Sequence, residues 1–253
     1  MLRELLNLNI FAFFLVFSRI GSAIAVMPGF SSSFVSARMR LAIALAVTFL
    51  VTPVLANELP VLPKSIAALS LLIIGEILIG SYLGTIARVL LGALQTAGTL
   101  IAFSSSMANA LINDPISEQQ SSTISGFLVT TGMVLIFVAD FHHLMLQAVV
   151  DSYTLFIPGK GLPLGEFADY LARQLADSFA LGLQMSSPFI IVGLTYYLGL
   201  GILGRLMPTL QVFFFGLPFQ LTAQLWVLTV TVSGILLAFL QHFQGVYTSY
   251  LTP

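Results

Sequence analysis

Six stretches of this chain stay apolar for about as long as a helix needs to cross hydrocarbon, roughly 20 residues. They run approximately from Leu5 to Met27, Leu41 to Ala56, Ile66 to Phe103, Ile124 to Val150, Phe179 to Leu203 and Phe213 to Leu240. The chain therefore reads as an all-α, membrane-type helical protein of about six long hydrophobic segments. The third stretch is too long for one simple crossing, and a tilted helix, two shorter helices or a bent hairpin would each fit it.

Composition agrees with the segment pattern. Of 253 residues, 58% are hydrophobic and 8% charged, against roughly a quarter charged in an ordinary soluble domain. The apolar excess runs from end to end with no polar half to split off, so residues 1–253 read as a single domain. A net charge of −1, from nine basic and ten acidic side chains, provides no electrostatic footprint for nucleic acid or an anionic lipid surface. Cysteine is absent, which removes disulfides and thiolate chemistry. At the N-terminus, Arg3 before an apolar run and Ala23-Ile24-Ala25 imitate a cleavable signal. Cleavage is not expected, because Arg19 interrupts the run, Glu4 offsets Arg3 and another membrane-like segment follows.

Turn residues punctuate the connections: Pro28-Gly29, Pro60, Pro63, Asn113-Asp114-Pro115, Pro158-Gly159 and Pro208. Between Leu164 and Ser178, Glu166, Asp169, Arg173 and Asp177 recur at helical spacing beside Phe167, Tyr170 and Leu171. That pattern predicts a short amphipathic helix lying along an interface or another subunit. With the N-terminus inside, Arg3, Lys64, Lys160 and Arg173 fall on one side and Arg38, Arg40 and Arg205 on the other. So flat a bias is unlike a conventional serpentine bundle. The absence of an internal repeat in register weakens a transporter built from duplicated halves.

Ionisable groups inside apolar segments mark a pathway or a partner. Here they are Arg19, Glu76, Arg88 and Asp140, with Arg205 just beyond the fifth stretch. Glu76, Gly80, Gly84 and Arg88 are spaced four apart and follow one ridge of a helix. Glu76 and Arg88, about 18 Å apart along that axis, cannot pair with each other. The glycine pair admits a close helix neighbour, either a foreign subunit, which would make all four interface residues, or another part of this chain with buried ion pairs.

No site for chemistry emerges. His142 and His143 are adjacent and point to different helix faces, whereas metal ligands on helices favour spacings of three or four. His242 has no companion ligand nearby, so no metal or cofactor is expected. Ser32, Ser105 and Ser122 lie in serine-rich turns without a neighbouring base, and there is no nucleophile elbow or phosphate loop. Enzyme activity is not expected. The segment Ser104 to Ser125 is polar yet almost uncharged, with Asp114 and Glu118 its ionisable groups. By composition it is an external hydrophilic loop; at membrane depth it would need protein or a water-filled cavity around it.

A family resemblance runs through these landmarks. Arg19-Ile20-Gly21, Pro28-Gly29-Phe30 and Arg38-Met39-Arg40-Leu41-Ala42 resemble the opening of the flagellar biosynthetic protein FliR family and its injectisome counterparts, the R/T subunits of type III export gates. Gly75-Glu76-Ile77-Leu78-Ile79-Gly80, with Gly84 and Gly98, is similar to that family's third segment, and Asp114-Pro115 to its central loop. The strongest match is Gly199-Leu200-Gly201-Ile202-Leu203-Gly204-Arg205-Leu206-Met207-Pro208, continuing through Gln211-Val212-Phe213 to Gly216-Leu217-Pro218. Ala37 stands where a proline is common, Gln211 replaces a frequent asparagine, and Tyr196-Tyr197 occupies a place that often carries an acid.

The resemblance implies helical hairpins assembled with several copies each of the P and Q subunits into a hetero-oligomeric export gate. The B-type switch subunit and unfolded secreted proteins would be further partners. It places the chain in the bacterial inner membrane at the flagellar basal body, with the gate raised towards the periplasm. It implies a channel plug at Phe103 to Pro115, here Phe103, Ser104, Met107, Asp114 and Pro115, and subunit contacts at Arg205, Pro208 and Gln211 besides the glycine ridge. Driving energy would come from the proton gradient and a separate ATPase. An injectisome subunit and, more remotely, a small-molecule or ion transporter are the competing readings.

Overall fold

The computed structural model describes residues 2–56, 58–107, 111–113, 120–207 and 212–251, with side chains at 10–56, 58–107, 122–207 and 216–248. Seven helices appear among them: α1 (Leu2–Val26), α2 (Ala37–Val51), α3 (Ile66–Ser104), α4 (Thr123–Val138), α5 (Phe141–Leu155), α6 (Leu164–Leu206) and α7 (Val212–Leu251). The all-helical, membrane-type class holds. Within the central loop, β1 (Leu111–Asn113) and β2 (Gln120–Ser122) form an antiparallel ribbon, with Leu111 opposite Ser122 and Asn113 opposite Gln120.

Among the described residues, three helices, α3, α6 and α7, are long and apolar enough to cross a membrane, and α4 with α5 would make a fourth as a broken span. The 39 residues of α3 form one helix, about 58 Å long at 1.5 Å per residue. Of the alternatives for the third stretch, the single helix is the one formed.

Two expectations need correction. The fourth stretch is broken at Asp140, a non-glycine residue in the left-handed region (φ 60°) with no side-chain cap bond to α5. The amphipathic segment Leu164 to Ser178 is not a separate helix; it is the beginning of the 43-residue α6. No Pro or Gly stands between Asp177 and Phe179, so the backbone has no reason to stop there. Pro188, farther along, lacks the N–H that would bond the Gln184 carbonyl. The Ser187 hydroxyl donates to that carbonyl instead, at 2.7 Å.

The turn before α2 follows from its sequence. Gly29 takes φ 86°, the left-handed conformation glycine adopts without penalty. Arg40 donates through Nε to the Phe30 carbonyl at 2.9 Å, and Ser36 caps α2 by accepting from Met39 N at 3.3 Å.

The chain divides into two compact units. The first comprises Met1–Leu90, Phe137–Gln174 and Gly245–Pro253, the second Leu91–Ile136 and Leu175–Gln244. In the first, Leu15, Val16, Ile20, Ala23 and Ile24 form the buried stripe of α1, and Met27 just beyond it is buried as well, the i, i+4 pattern of a core-facing helix. Ile79, Leu83 and Ala87 of α3 and Met145, Ala148 and Val149 of α5 are buried in the same unit. In the second, glycines set the packing. A Cβ at Gly98 would collide with Ser125 Cα, one at Gly132 with Leu94 Cδ1, and one at Gly182 would lie 2.9 Å from the Ala93 carbonyl oxygen.

Candidate functional site

In the first unit the buried charges find each other. Arg19 on α1 has no exposed surface. Its Nε donates to Glu76 Oε2 at 2.6 Å and its Nη2 to Glu76 Oε1 at 3.0 Å, the two-pronged geometry that makes Arg–carboxylate pairs strong. Nη1 donates to Ser152 Oγ at 3.1 Å, and Nη2 also reaches the Phe156 carbonyl at 2.8 Å. The Tyr153 ring lies 3.8 Å from the guanidinium carbon, a cation–π contact at short range. Arg19 thus joins α1, α3 and the C-terminal end of α5.

Of the predicted ridge, three residues are used inside the chain. Glu76 pairs with Arg19. A Cβ on Gly80 would strike the Arg19 carbonyl oxygen and Ser22 Oγ, and one on Gly84 would come within 2.8 Å of Val26 Cβ. The glycines let α3 lie against α1, the intrachain contact that the sequence also allowed for this ridge. Arg88 is different: it is exposed and donates to Ser31 Oγ at 3.2 Å.

In the second unit the described ends of the central loop are both held. At the exit, Ser106 takes φ 60° and Met107 N bonds back to the Ala102 carbonyl at 2.9 Å, a helix ending of the kind usually built on glycine. The Ser106 hydroxyl donates to Gln220 Oε1 at 3.3 Å, Gln220 Nε2 donates to Tyr197 Oη at 3.2 Å, and Tyr197 Oη lies 3.2 Å from Ser106 Oγ. With those two donors assigned, Tyr197 donates to Ser106 and the ring of three bonds closes in one direction. Gln220, itself buried, also donates to the Ser104 carbonyl at 2.8 Å. A Cβ at Gly193 would lie 3.2 Å from that carbonyl oxygen. At the return, Ser125 donates through Oγ to the Gln95 carbonyl and through its backbone N to Ser122 Oγ, each at 3.2 Å.

Of the predicted plug residues, Ser104 and Met107 belong to the exit just described, and Phe103 turns outward, 65% exposed. Asp114 and Pro115 lie outside the described residues, as do Pro208 and Gln211. Arg205 is exposed at the end of α6. Around it Ile202, Leu203, Leu206 and Met207 are exposed as well, and a Cβ at Gly199, Gly201 or Gly204 would meet nothing within 4 Å. The adjacent histidines are closer than their spacing implies: the rings of His142 and His143 are 4.1 Å apart, and one ligand atom from each lies within 4.8 Å of an Asp140 carboxylate oxygen. Beside the Arg19 node a cleft of about 870 Å³ opens, lined by apolar residues together with Glu76, Lys160 and Glu166.

Residues 10–246 match the family described as bacterial export proteins, family 1. The chain belongs to this family. Members of the family similar to it include a flagellar biosynthetic protein FliR of Caulobacter vibrioides, 32% identical over 230 residues that cover 91% of this chain and 92% of that protein. The FliR of Bacillus subtilis is 30% identical over 88% of this chain and 87% of its own length. A Yop proteins translocation protein T of Yersinia pestis is 24% identical over 87% and 85%.

Within this export-family chain, the sequence reading missed the polar ring. In the sequence Tyr197 stands out as a departure from the family pattern, and no motif marks Gln220. A signal existed: Gly193 and Tyr197 on α6, and Gln220 and Gln224 on α7, are i, i+4 pairs that place each couple on one helix face. The partner that makes the pattern meaningful, the end of α3, is about a hundred residues away in sequence.

Proposed function

We propose that this chain is a subunit of the type III export gate of the bacterial flagellum, and that its central loop closes the channel through which unfolded proteins leave. The observation that carries the reading is the stretch Gly201–Met207, exposed throughout among the described residues. Glycines with open space beside them, large apolar side chains turned outward and an exposed Arg205 occupy one helix end. Lipid rewards neither glycine nor arginine, whereas a neighbouring helix uses glycine for close approach and satisfies the cation. Membership of the export family and the flagellar names of relatives 27–33% identical favour the flagellar branch. The 24% identity to a translocation protein T keeps the injectisome subunit as the second reading.

The proposed partners are several copies of the P and Q subunits, the B-type switch subunit and the exported chains. The proposed location is the inner membrane at the basal body, with the assembled gate raised towards the periplasm. The subunit supplies a wall and a stopper and no catalysis. Arg88, Arg205, Pro208 and Gln211 remain the proposed subunit contacts. A transporter reading loses its strongest support, because Glu76 is neutralised by Arg19 instead of standing free on a pathway.

The mechanism rests on the loop's character. Polar residues with little charge tolerate water at the channel mouth without fixing an ion there, and the loop's two roots are tied to helices. Removing residues 108–119 while keeping Ser104–Met107, which complete the end of α3, leaves the helices intact. In cells carrying that deletion, small-ion leakage should rise while the protein still co-purifies with the P and Q subunits. Unchanged leakage in an assembled gate would remove the loop from the closing role.

A further inference from the structure

The start of α5 gathers three metal-ligating side chains that adjacency in the sequence sets apart. Asp140, His142 and His143 each offer one ligand atom, and these atoms lie within 4.8 Å of one another. Neighbouring residues on a regular helix are turned about 100° apart, yet the two imidazole rings lie 4.1 Å from each other and tilted by 38°. The His142 ring also stacks on Phe137 at 5.0 Å, which keeps it leaning back over the turn that Asp140 makes.

Two of these groups call for a cation. Asp140 stands at the N-cap of α5 but makes no cap hydrogen bond, so it does not perform the task that Asp usually has at a helix start. Its carboxylate faces His143 Nδ1 at 3.7 Å instead. The Asp140 side chain is 77% exposed among apolar neighbours, Phe137-Val138-Ala139 before it and Phe141 after it, and an unanswered charge in such a stretch is costly. His142 Nδ1 is buried without a hydrogen-bond partner, a state in which a polar nitrogen has lost its hydration and gained nothing. An ion bonded to the carboxylate and to the imidazoles answers both groups.

We propose that Asp140, His142 and His143 form a binding site for a divalent transition-metal ion, with Zn2+ the ion that the ligand set fits. Two imidazoles and a carboxylate suit zinc and its first-row neighbours, whereas magnesium and calcium take oxygen ligands. Bonds of about 2.0–2.2 Å to zinc bring tetrahedral donors to within ~3.4 Å of one another, so the three ligand atoms close by roughly 1.4 Å on binding. Asp140 and His143, with side chains 77% and 70% exposed, have room for that movement while His142 stays on Phe137. Three protein ligands leave a coordination position for water. The bound ion ties the turn at Asp140 to the first turn of α5, in place of the cap bond that Asp140 does not make. Histidine spacing alone gave no such site, because the third ligand comes from a residue in the left-handed region (φ 60°) ahead of the helix.

The test is titration of the full-length chain in detergent, purified through a tag without histidine, with Zn2+ followed by calorimetry and Cu2+ by electron paramagnetic resonance. Wild type should take up one Zn2+ per chain in the presence of excess Mg2+, and its Cu2+ spectrum should show coupling to imidazole nitrogen. Asp140→Asn keeps a residue that tolerates the left-handed backbone, and His143→Ala removes an exposed side chain, so both variants should fold. Each should weaken Zn2+ binding by at least about 10–100-fold, the loss that follows removal of even an outer-shell partner. His142→Ala should do the same, and His242→Ala, far along the chain on α7, should leave the affinity unchanged.

No saturable Zn2+ uptake by the wild-type chain overturns the site. So does wild-type affinity in Asp140→Asn and His143→Ala, which would place the ion elsewhere, and so does a loss confined to His242→Ala. Displacement of Zn2+ by Mg2+ would reduce the site to attraction by an exposed carboxylate and overturn it as well.

Discussion

A guanidinium with no exposed surface is tolerable only if nearly every donor is answered, and Arg19 is answered by a carboxylate, a hydroxyl, a carbonyl and an aromatic face. Removing one partner is far costlier than replacing both, because an unpaired buried charge remains. Glu76→Ala should therefore lower stability by about 3–5 kcal/mol, and Arg19→Leu with Glu76→Leu should recover a large part of that loss. Denaturation of the detergent-solubilised protein decides it, and a double variant no better than Glu76→Ala would show the pair to be more than a mutual neutralisation. Glycine offers a second comparison. Gly80→Ala puts a methyl into the α1 backbone and should cost about 1–3 kcal/mol. Gly92→Ala meets nothing within 4 Å and should stabilise α3 by about 0.5–1 kcal/mol. Equal effects at the two positions would contradict the packing described.

At the scale of elements, α3 carries the organisation. Its first half, with Glu76, Gly80 and Gly84, packs in the unit that holds α1 and α5; its second half, with Gly98 and Ser104, packs in the other. Four-residue glycine spacing was legible in the sequence, and so was the close approach it serves. Which helix approaches was not, because spacing along one helix says nothing about the identity of its neighbour. The break at Asp140 was also hidden. Asp at a left-handed position is among the few non-glycine exceptions, and nothing in Phe-Val-Ala-Asp-Phe announces it. The continuity of α6 was hidden for the opposite reason. A change from charged to apolar composition at Ser178 resembles a boundary, yet backbone hydrogen bonding in a helix is indifferent to side-chain polarity. The repair of Pro188 by Ser187 could have been read locally, and Ser187→Ala should cost about 1 kcal/mol by leaving the Gln184 carbonyl without its donor. Hydrogen exchange at Gln184–Gly193 would report it as faster local opening, and unchanged protection would assign that carbonyl another donor.

On the scale of the whole molecule, the apolar helices are largely uncovered. In α6, 11% of the most apolar stretch is buried by the chain itself. A protein in that state needs lipid, partners or both. Gly201→Trp, placed where a Cβ meets open space, should leave the isolated chain's own fold undisturbed and prevent co-purification with the P and Q subunits; a normal yield of assembled gate would move the interface elsewhere.

By itself the sequence determined the helical class, the approximate segments and the family, because those depend on local apolar length and on motifs that are contiguous in the chain. The tertiary structure decided who pairs with whom: Arg19 with Glu76 across 57 residues, Ser106 with Tyr197 and Gln220 across 91 and 114. Such partners are chosen by how helices pack, and packing is a property of faces brought together by the whole chain, which no single segment encodes.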